Sequence, residues 1–572
     1  MTRLLPAILL AVLLLALPAG ASAATFTVTT GAELVTALDT ADTNDQDDTI
    51  TIAAGATPLT NPAGYAYNAG LTDEDNDLVI NAQGRAIKGS DPTVILLSNL
   101  FGPGEMTVND LHVEMQAGNT TGLDLQTRAT LSNLEVSGTG DAGSSGLRTH
   151  RAVQATGVTI SSATQQGVMV EGDVATFTDL DVSGSTLRMV YSYGTVNITG
   201  GTFHDPAPGF VLGVVTEGTG TQATLRRVRM SGLYRPAVAT YSGTMTVTDS
   251  LLSLPAGAGA AVVATDSGST GANTSTAVGE RLTIVGTDDP LQVVAVAEGG
   301  SASEQDQMRV TLRDSIVTGV PNGVSCEENN AQSVNAITLD RVNQAPATTD
   351  VNTCDGSQLS GVARTAVTSL DPGFVNAAGG DYRLRTDSLL LDVGPAATAL
   401  PGLPAKDLDG VARLNDGDGD CTPELDLGAY ETQAAVFAAC LPPVPAAPAG
   451  GGAPVVPIAA PAAPDRTAPV LSKLKVSKTI RRATKPPVTI RLRLSEAATV
   501  KLAFRRVKGK RFVTVPGAIT LKLAAGDNAV RFAGRLSRTR QLGAGSYQVV
   551  VTATDAAGNR GGAQRATFRI SA

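Results

Sequence analysis

Short stretches of one design recur along this chain. They read MTVNDLHVEM from Met106, ATLSNLEVSG from Ala129, VQATGVTISS from Val153, ATFTDLDVSG from Ala175, TVNITGGTFHD from Thr195, ATLRRVRMSG from Ala223 and MTVTDSLLSL from Met245. Later stretches, GERLTIVG, RVTLRDSIVTG and AITLDRVN, continue the design. Each unit is an alternating strand, one or two polar turn residues, and a second short alternating strand. A period of about 22 residues marks a solenoid, in which a coil buries its inner face only by stacking on its neighbours. The L-x-x-L-x-L frame of leucine-rich repeats is absent. Hairpin turns at intervals of roughly 8–12 residues, which a β-sandwich array requires, are absent too. The pattern predicts a right-handed parallel β-helix of roughly 12 coils, a rod about 58 Å long at the ~4.8 Å strand spacing.

Composition agrees. There is no Trp, 3% of residues are aromatic, and there are 61 Gly among 572 residues. Sheets of short strands and tight turns tolerate such a composition. Before the repeats, Thr30 and Glu33 have capping-box spacing, with Leu34, Val35 and Leu38 on one helical face. A short helix is expected there, covering the open end of the stack, followed by a strand at 49–52.

The chain opens MTRLLPAILLAVLLLALPAGASA. A basic residue, an apolar run and a small-x-small ending at Ala23 predict a signal peptide over 1–23, hence export. At Leu441 the composition turns to a Pro/Ala/Gly tract, a semi-extended linker over 441–466. Residues 467–572 then read as alternating strands of a small all-β sandwich. Charge divides at the same place. Residues 465–572 carry 23 Lys and Arg against 4 Asp and Glu, a net of +19, which leaves −29 for the remainder of a chain totalling −10.

Four cysteines, Cys326, Cys354, Cys421 and Cys440, in an exported chain suggest disulfides. Short loop closure favours 326 with 354 and 421 with 440. Zinc binding is the rival, without a CxxC or a nearby His to support it. The stretch NDGDGDCTPELDLGAYE alternates Asp416, Asp418 and Asp420, with Glu424 and Asp426 following. Oxygen ligands from a Gly-loosened loop suit Ca²⁺, which takes 6 to 8 of them. The role expected is structural. Position six is Cys421 where a calcium loop has Gly, and position twelve is Leu427 where it has Glu; the competing reading is a solvated Asp/Gly turn. Basic clusters at 473–485 and at Arg505, Arg506, Lys508, Lys510 and Arg511 suit polyanions such as acidic envelope polymers, or are simply a solvated surface. No nucleic-acid recognition motif accompanies the charge.

Two longer patterns carry a resemblance. Asp381-Tyr382-Arg383-Leu384, Ser388, Asp392-x-Gly394, Asp407-x-Asp409-Gly410-x-x-Arg413 and Asp426-x-Gly428-Ala429-x-Glu431 resemble the closing segment of secreted bacterial β-helix proteins of the choice-of-anchor Q type. The match runs from 381 to 431. It implies a pectin-lyase-like fold over 24–440, export and surface residence, and no particular activity. Gly545, Tyr547, Asp555, Gly558 and Asn559 resemble the last strand and turn of bacterial immunoglobulin-like domains.

Polysaccharide lyases and hydrolases on this fold gather carboxylates with a base. The repeat region has one central Asp pair, Asp288-Asp289, and neither Gly-His-Gly nor Arg-x-Lys. Its histidines, His112, His150 and His204, are isolated. His150 stands between Arg148 and Arg151, where it could line an anion groove, and His204-Asp205 is a possible catalytic pair. Tyr191, Tyr193, Tyr234 and Tyr241 could form a patch on the middle coils. The reading is a non-catalytic surface or extracellular protein that binds carbohydrate or an envelope polymer, with a polysaccharide lyase or glycoside hydrolase as the alternative.

Overall fold

The computed structural model describes residues 23–571 apart from 45, 70–76, 100–103, 208, 210, 234–235, 267–272, 300–305, 329–333, 351, 354–360, 396–405, 418–422 and 433–467, and apart from short stretches between 477 and 560. The leader expected over 1–23, but for Ala23, and the linker expected over 441–466 lie outside the described residues. The chain divides into two compact units, Met1–Val444 and Pro445–Ala572.

The first unit is a parallel β-solenoid of about 12 turns built over residues 24–365. Each coil gives two strands to one long sheet and one strand to a second, 12-stranded sheet. The long sheet holds the repeats seen in the sequence. Where its two strands meet, the chain bends through one residue in the left-handed region. Register stacks these bends as Asp110, Asn133, Gly157, Asp179, Gly200, Arg227, Asp249, Arg281, Asp314 and Arg341, with φ between 50° and 71°. Asn and Asp tolerate this conformation better than other side chains, and Gly adopts it freely. Further along the stack the bends alternate in sign, and opposite charges meet: Arg281 Nε is 2.8 Å from Asp249 Oδ1, and Arg341 Nε is 2.5 Å from Asp314 Oδ1. The coil also lengthens between Asp249, Arg281 and Asp314, which occupy successive bends. The surplus lies in turns, so the rung register survives.

Inward residues stack by type. Val136, Ile160, Val182 and Phe203 follow one another in register, each with no exposed surface. Burying each such side chain stabilises the stack by about 1.5–3 kcal/mol. The helix Gly31–Ala41 forms as expected. Thr30 Oγ1 accepts the Glu33 N–H, Glu33 returns the bond to the Thr30 N–H, and Leu34 and Leu38 are buried on the first coil. The strand behind it is Asp48–Ile52.

In the second unit, a three-stranded antiparallel sheet (Leu471–Val476, Val488–Leu494, Gly526–Phe532) and a five-stranded sheet share one core. Leu471, Ile490 and Leu492 meet Val500, Phe504, Tyr547 and Phe568 there. The alternation of the sequence produces this: every second residue faces the partner sheet.

Candidate functional site on the outward face of the 12-stranded sheet

The strands Thr121–Leu125, Ser145–Thr149, Gln166–Val170, Arg188–Ser192, Leu212–Glu217 and Val238–Tyr241 pair in parallel, one per coil. Two outward columns follow from their register. One runs Asp124, Arg148, Met169, Tyr191, Val215, Ala239. The other lies two residues further on: Gln126, His150, Glu171, Tyr193, Glu217, Tyr241. Backbone bonds from Glu171 to Thr149 O and from Tyr193 to Val170 O carry the register into this second column.

The columns divide the face by chemistry. Tyr191, Val215 and Ala239 form a buried apolar cluster with Ala260 and Val263, and Met169 and Tyr241 pack at its margin, so the accessible part of the face is the second column. On one flank is a charged cluster. His150 Nδ1 lies 3.1 Å from Glu171 Oε2, and Arg148 Nη2 lies 2.7 Å from Glu171 Oε1. His150 Nε2 is 3.0 Å from Asp124 Oδ1, off the line of a hydrogen bond. The hydrogen bond that Arg148 donates to Glu171, and the charges of Glu171 and Asp124, hold its guanidinium above its ordinary pKa despite partial burial. Two carboxylates and an arginine thus enclose His150, and the face around it is not an anion groove.

Next along the rod stands a tyrosine pair. Tyr191 hydroxyl is 2.5 Å from Glu217 Oε2 and 2.6 Å from the Tyr193 hydroxyl. Burial first, then the bond to Glu217, push the Tyr191 phenol above its ordinary pKa, so it keeps its proton. That single proton goes to the carboxylate, leaving the Tyr193 hydroxyl to donate to Tyr191. The rings sit 4.7 Å apart, and the Arg188 guanidinium lies 4.0 Å over Tyr191. Tyr191 is therefore held by a carboxylate, a second ring and a cation together.

Tyr193 is different from its partner: 45% of it is exposed, against 5% of Tyr191. With Val174 it lines an open notch of about 400 Å³ together with Gly172, Gly194, Gly220, Asp173, Thr195, Thr219 and Thr221. A Cβ on Gly194 would stand 1.7 Å from Gly172 O, and one on Gly172 would stand 2.1 Å from His150 O. Only glycine lets these turns stack closely enough to leave the notch open. Sequence reading finds Tyr191, Tyr193 and Tyr241 as a patch, and the structure brings them together; Tyr234 lies outside the described residues. Glu171, Glu217 and Asp124 were not legible, because each meets its partners from a neighbouring coil.

The other sequence-derived residues fall elsewhere. His204 Nδ1 is 2.8 Å from Asp205 Oδ2, and its Nε2 is 2.9 Å from Asp181 Oδ1 on the preceding coil. Burial opposes its charge, but the bonds to Asp205 and Asp181 outweigh it and raise the pKa. With both nitrogens engaged, His204 clips two coils together and has no free nitrogen to act as a base.

The closing segment forms a buried polar knot against the rod. Arg413, with no exposed side-chain surface, reaches Asp249 Oδ1 of the bend ladder at 2.6 Å and Glu431 Oε2 at 3.2 Å, and donates to the carbonyls of Gly428 and Ala429. Asp407 accepts the N–H groups of Val411 and Glu431. Asp426 accepts those of Asp392 and Thr432, one on each oxygen. Of the sequence pattern at 381–431, Asp392, Asp407, Arg413, Asp426, Gly428, Ala429 and Glu431 meet in this knot. Of the five calcium candidates, Asp418 and Asp420 lie outside the described residues, Asp416 and Glu424 are half-buried or exposed at the loop, and Asp426 is buried with both oxygens already on main-chain N–H groups. Among the described residues no three His, Cys, Asp or Glu side chains converge as a metal site. Cys326 is buried, and its strand pairs it with Thr353, the residue before Cys354; Cys354, Cys421 and Cys440 lie outside the described residues. In the second unit Arg505 is half-buried, Arg506 is exposed and donates to Ala544 O, and Lys508 pairs in register with Arg511; Lys510 lies outside the described residues.

No family model matches the chain, and no curated protein matches it. Among solved structures, the enzymatically active domain of bacteriophage CBA120 tailspike protein 2 aligns over 94% of this chain and 73% of that one, at 8% identity and a TM-score of 0.26. At that score the likeness transfers neither a site nor an activity; the rung-to-rung register defines the fold.

Proposed function

We propose that this protein binds a polysaccharide along the outward face of its 12-stranded sheet, with Tyr193 as the central stacking platform. One observation carries the reading: an exposed tyrosine, held by a buried one, beside a glycine-lined notch and flanked one rung either side by Glu171 and Glu217. An aromatic face takes the apolar face of a sugar ring, and flanking carboxylates and threonine hydroxyls take its hydroxyl groups. The column from His150 to Tyr241 spans four rung spacings, about 19 Å, which suits several sugars in a row. The leader pattern of residues 1–23 supports export, and such a protein meets polymers of the cell surface or its surroundings.

Binding of the full chain to a panel of neutral and acidic polysaccharides, compared with Tyr193→Ala, tests it. The expected result is retention on at least one polymer and a loss of about tenfold or more in the variant, the ~1–3 kcal/mol scale of an aromatic stacking contact. Equal binding by both proteins would sink the idea.

A second reading, glycoside hydrolysis, has one specific support. Glu171 and Glu217 stand two rungs apart, about 10 Å between their backbones, and flanking carboxylates are what that chemistry uses. New reducing ends from the bound polymer, abolished in Glu171→Gln with binding retained, would favour it. The structural calcium expected at 416–426 rests now on Asp416, Glu424 and the two loop aspartates, and the disulfide Cys326–Cys354 has the strand register in its favour.

A further inference from the structure

The second unit carries a cation lattice at one place in its sandwich. On the three-stranded sheet, Leu471, Ile490, Leu492 and Leu494 are buried, and the opposite face presents Lys473, Lys475, Arg491 and Arg493, all exposed. Two features together mark this face.

The first is register. Lys475 stands directly opposite Arg491. Like charges opposed across a strand pair are destabilising. Among the described residues, Lys473, Lys475 and Arg491 have no carboxylate within ion-pair distance, so no described residue relieves that opposition. The second is a bulge. Between the pairs Ser472–Arg493 and Lys475–Arg491 one strand has two residues, Lys473 and Leu474, against Leu492 on the other. The inserted residue is Lys473, in the left-handed region at φ 55°. A long side chain is uncommon there, and bulges of this kind re-aim a side chain. Leu474 still packs inward on the core, so the insertion adds one cation to the outer face without disturbing the inner one. On the five-stranded sheet Arg569 faces Ser546 and Lys501 faces Thr552; the opposed cations there, Lys508 and Arg511, stand at the end of a strand pair and carry no bulge beside them.

We infer that Lys473, Lys475 and Arg491 form a binding site for a linear polyanion, a single chain bearing regularly spaced carboxylates or phosphates. Anions bridging Lys475 and Arg491 turn an unfavourable pair into a favourable one. Among the described residues of this unit there is no helix to enter a duplex groove, which favours a flexible single chain over double-stranded DNA. This site is independent of the tyrosine notch on the solenoid.

The test uses the full-length protein with sodium alginate, sodium polyphosphate, double-stranded DNA and neutral dextran. Alginate and polyphosphate separate carboxylate from phosphate as the anion. Wild type is expected to bind one of them with a log–log salt slope of about −2, the value for three cations on a single-stranded polyanion. The triple variant K473Q/K475Q/R491Q should lose about tenfold or more in affinity. The control K501Q/R565Q/R569Q removes the same charge from the five-stranded sheet and should change affinity by less than about twofold. Lys473→Gly removes one cation while relieving the left-handed backbone, so it should weaken binding with no fall in melting temperature. Equal losses in the two triple variants, full binding by Lys473→Gly, or preference for duplex DNA or dextran would each overturn the proposal.

Discussion

Arg413 is the residue whose removal best tests how the closing segment is attached. In Arg413→Ala the buried Asp249 and Glu431 lose their shared guanidinium, and the carbonyls of Gly428 and Ala429 lose a donor. Breaking a buried ion pair by removing one partner costs about 3–5 kcal/mol. Asp249 keeps Arg281 at 2.8 Å, burial keeps Glu431 largely protonated at neutral pH, and neither Asp249 Oδ2 nor Arg413 Nε has a hydrogen-bond partner, so the lower end applies. The loss falls on local opening of residues 407–431, because the rungs do not depend on the knot. A loss of about 3 kcal/mol is roughly a hundredfold rise in the open population. Hydrogen exchange reads it directly: the amide of Gly428, bonded to Asp314 O at 2.8 Å, and that of Ala429, bonded to Thr283 Oγ1 at 3.0 Å, should exchange about a hundredfold faster, while amides of the strand 174–183 stay unchanged. Arg413→Lys keeps the charge without the fork and should fall between. A change of less than about fivefold at both amides, the scale of a surface pair, would refute the claim that Arg413 holds the segment.

Other outcomes follow from the same geometry. Burial first, and the charge of Asp426 next, push Glu431 up to about 8 from 4.5, so its contribution to stability is complete below pH 4.5 and is lost as pH rises through about 8. Protease resistance of the closing segment should therefore decline over that window, and the decline should flatten in Glu431→Gln. Gly194→Ala places a methyl 1.7 Å from Gly172 O and should lower the melting temperature of the solenoid and abolish polysaccharide binding together; a normal melt would contradict the close approach. If the loop 416–424 holds calcium, melting of the solenoid unit should rise with added Ca²⁺ and fall with EGTA, and an unchanged melt argues against the ion.

The sequence shows one sheet of this fold clearly and hides the other. Strands of the long sheet alternate, as in ATLSNLEV, because one side faces core and the other water, and the bend at Asn133 appears as a polar interruption. The middle strands of the 12-stranded sheet are buried at all or nearly all positions, as in TGLDL at 121–125 and QGVMV at 166–170, so no alternation announces them. That is also why the site was only half legible. Tyr191 and Tyr193 are near neighbours in sequence, and so are His204 and Asp205. The pairs His150–Glu171, Tyr191–Glu217 and His204–Asp181 are made by stacking coils of unequal length, and only register discloses them. The charged bends Asp249, Arg281, Asp314 and Arg341 were invisible for the same reason, since the longer coils that carry them break the period of the earlier repeats. The closing motif was recognisable as a pattern, but its aspartates were ambiguous: an Asp that binds main-chain N–H groups, like Asp426, looks in sequence like one that binds a cation.

The central claim, that a polysaccharide lies on Tyr193, is tested most directly by hydroxyl-radical footprinting of the full-length protein with and without the polymer it retains. Tyr193, 45% exposed, should be strongly protected by the bound chain, with Val174 beside it, while Val375, 50% exposed in the strand Phe374–Asn376, should be modified at the same rate in both samples. Bound polymer with Tyr193 modified as fast as before would place the ligand elsewhere and contradict the account.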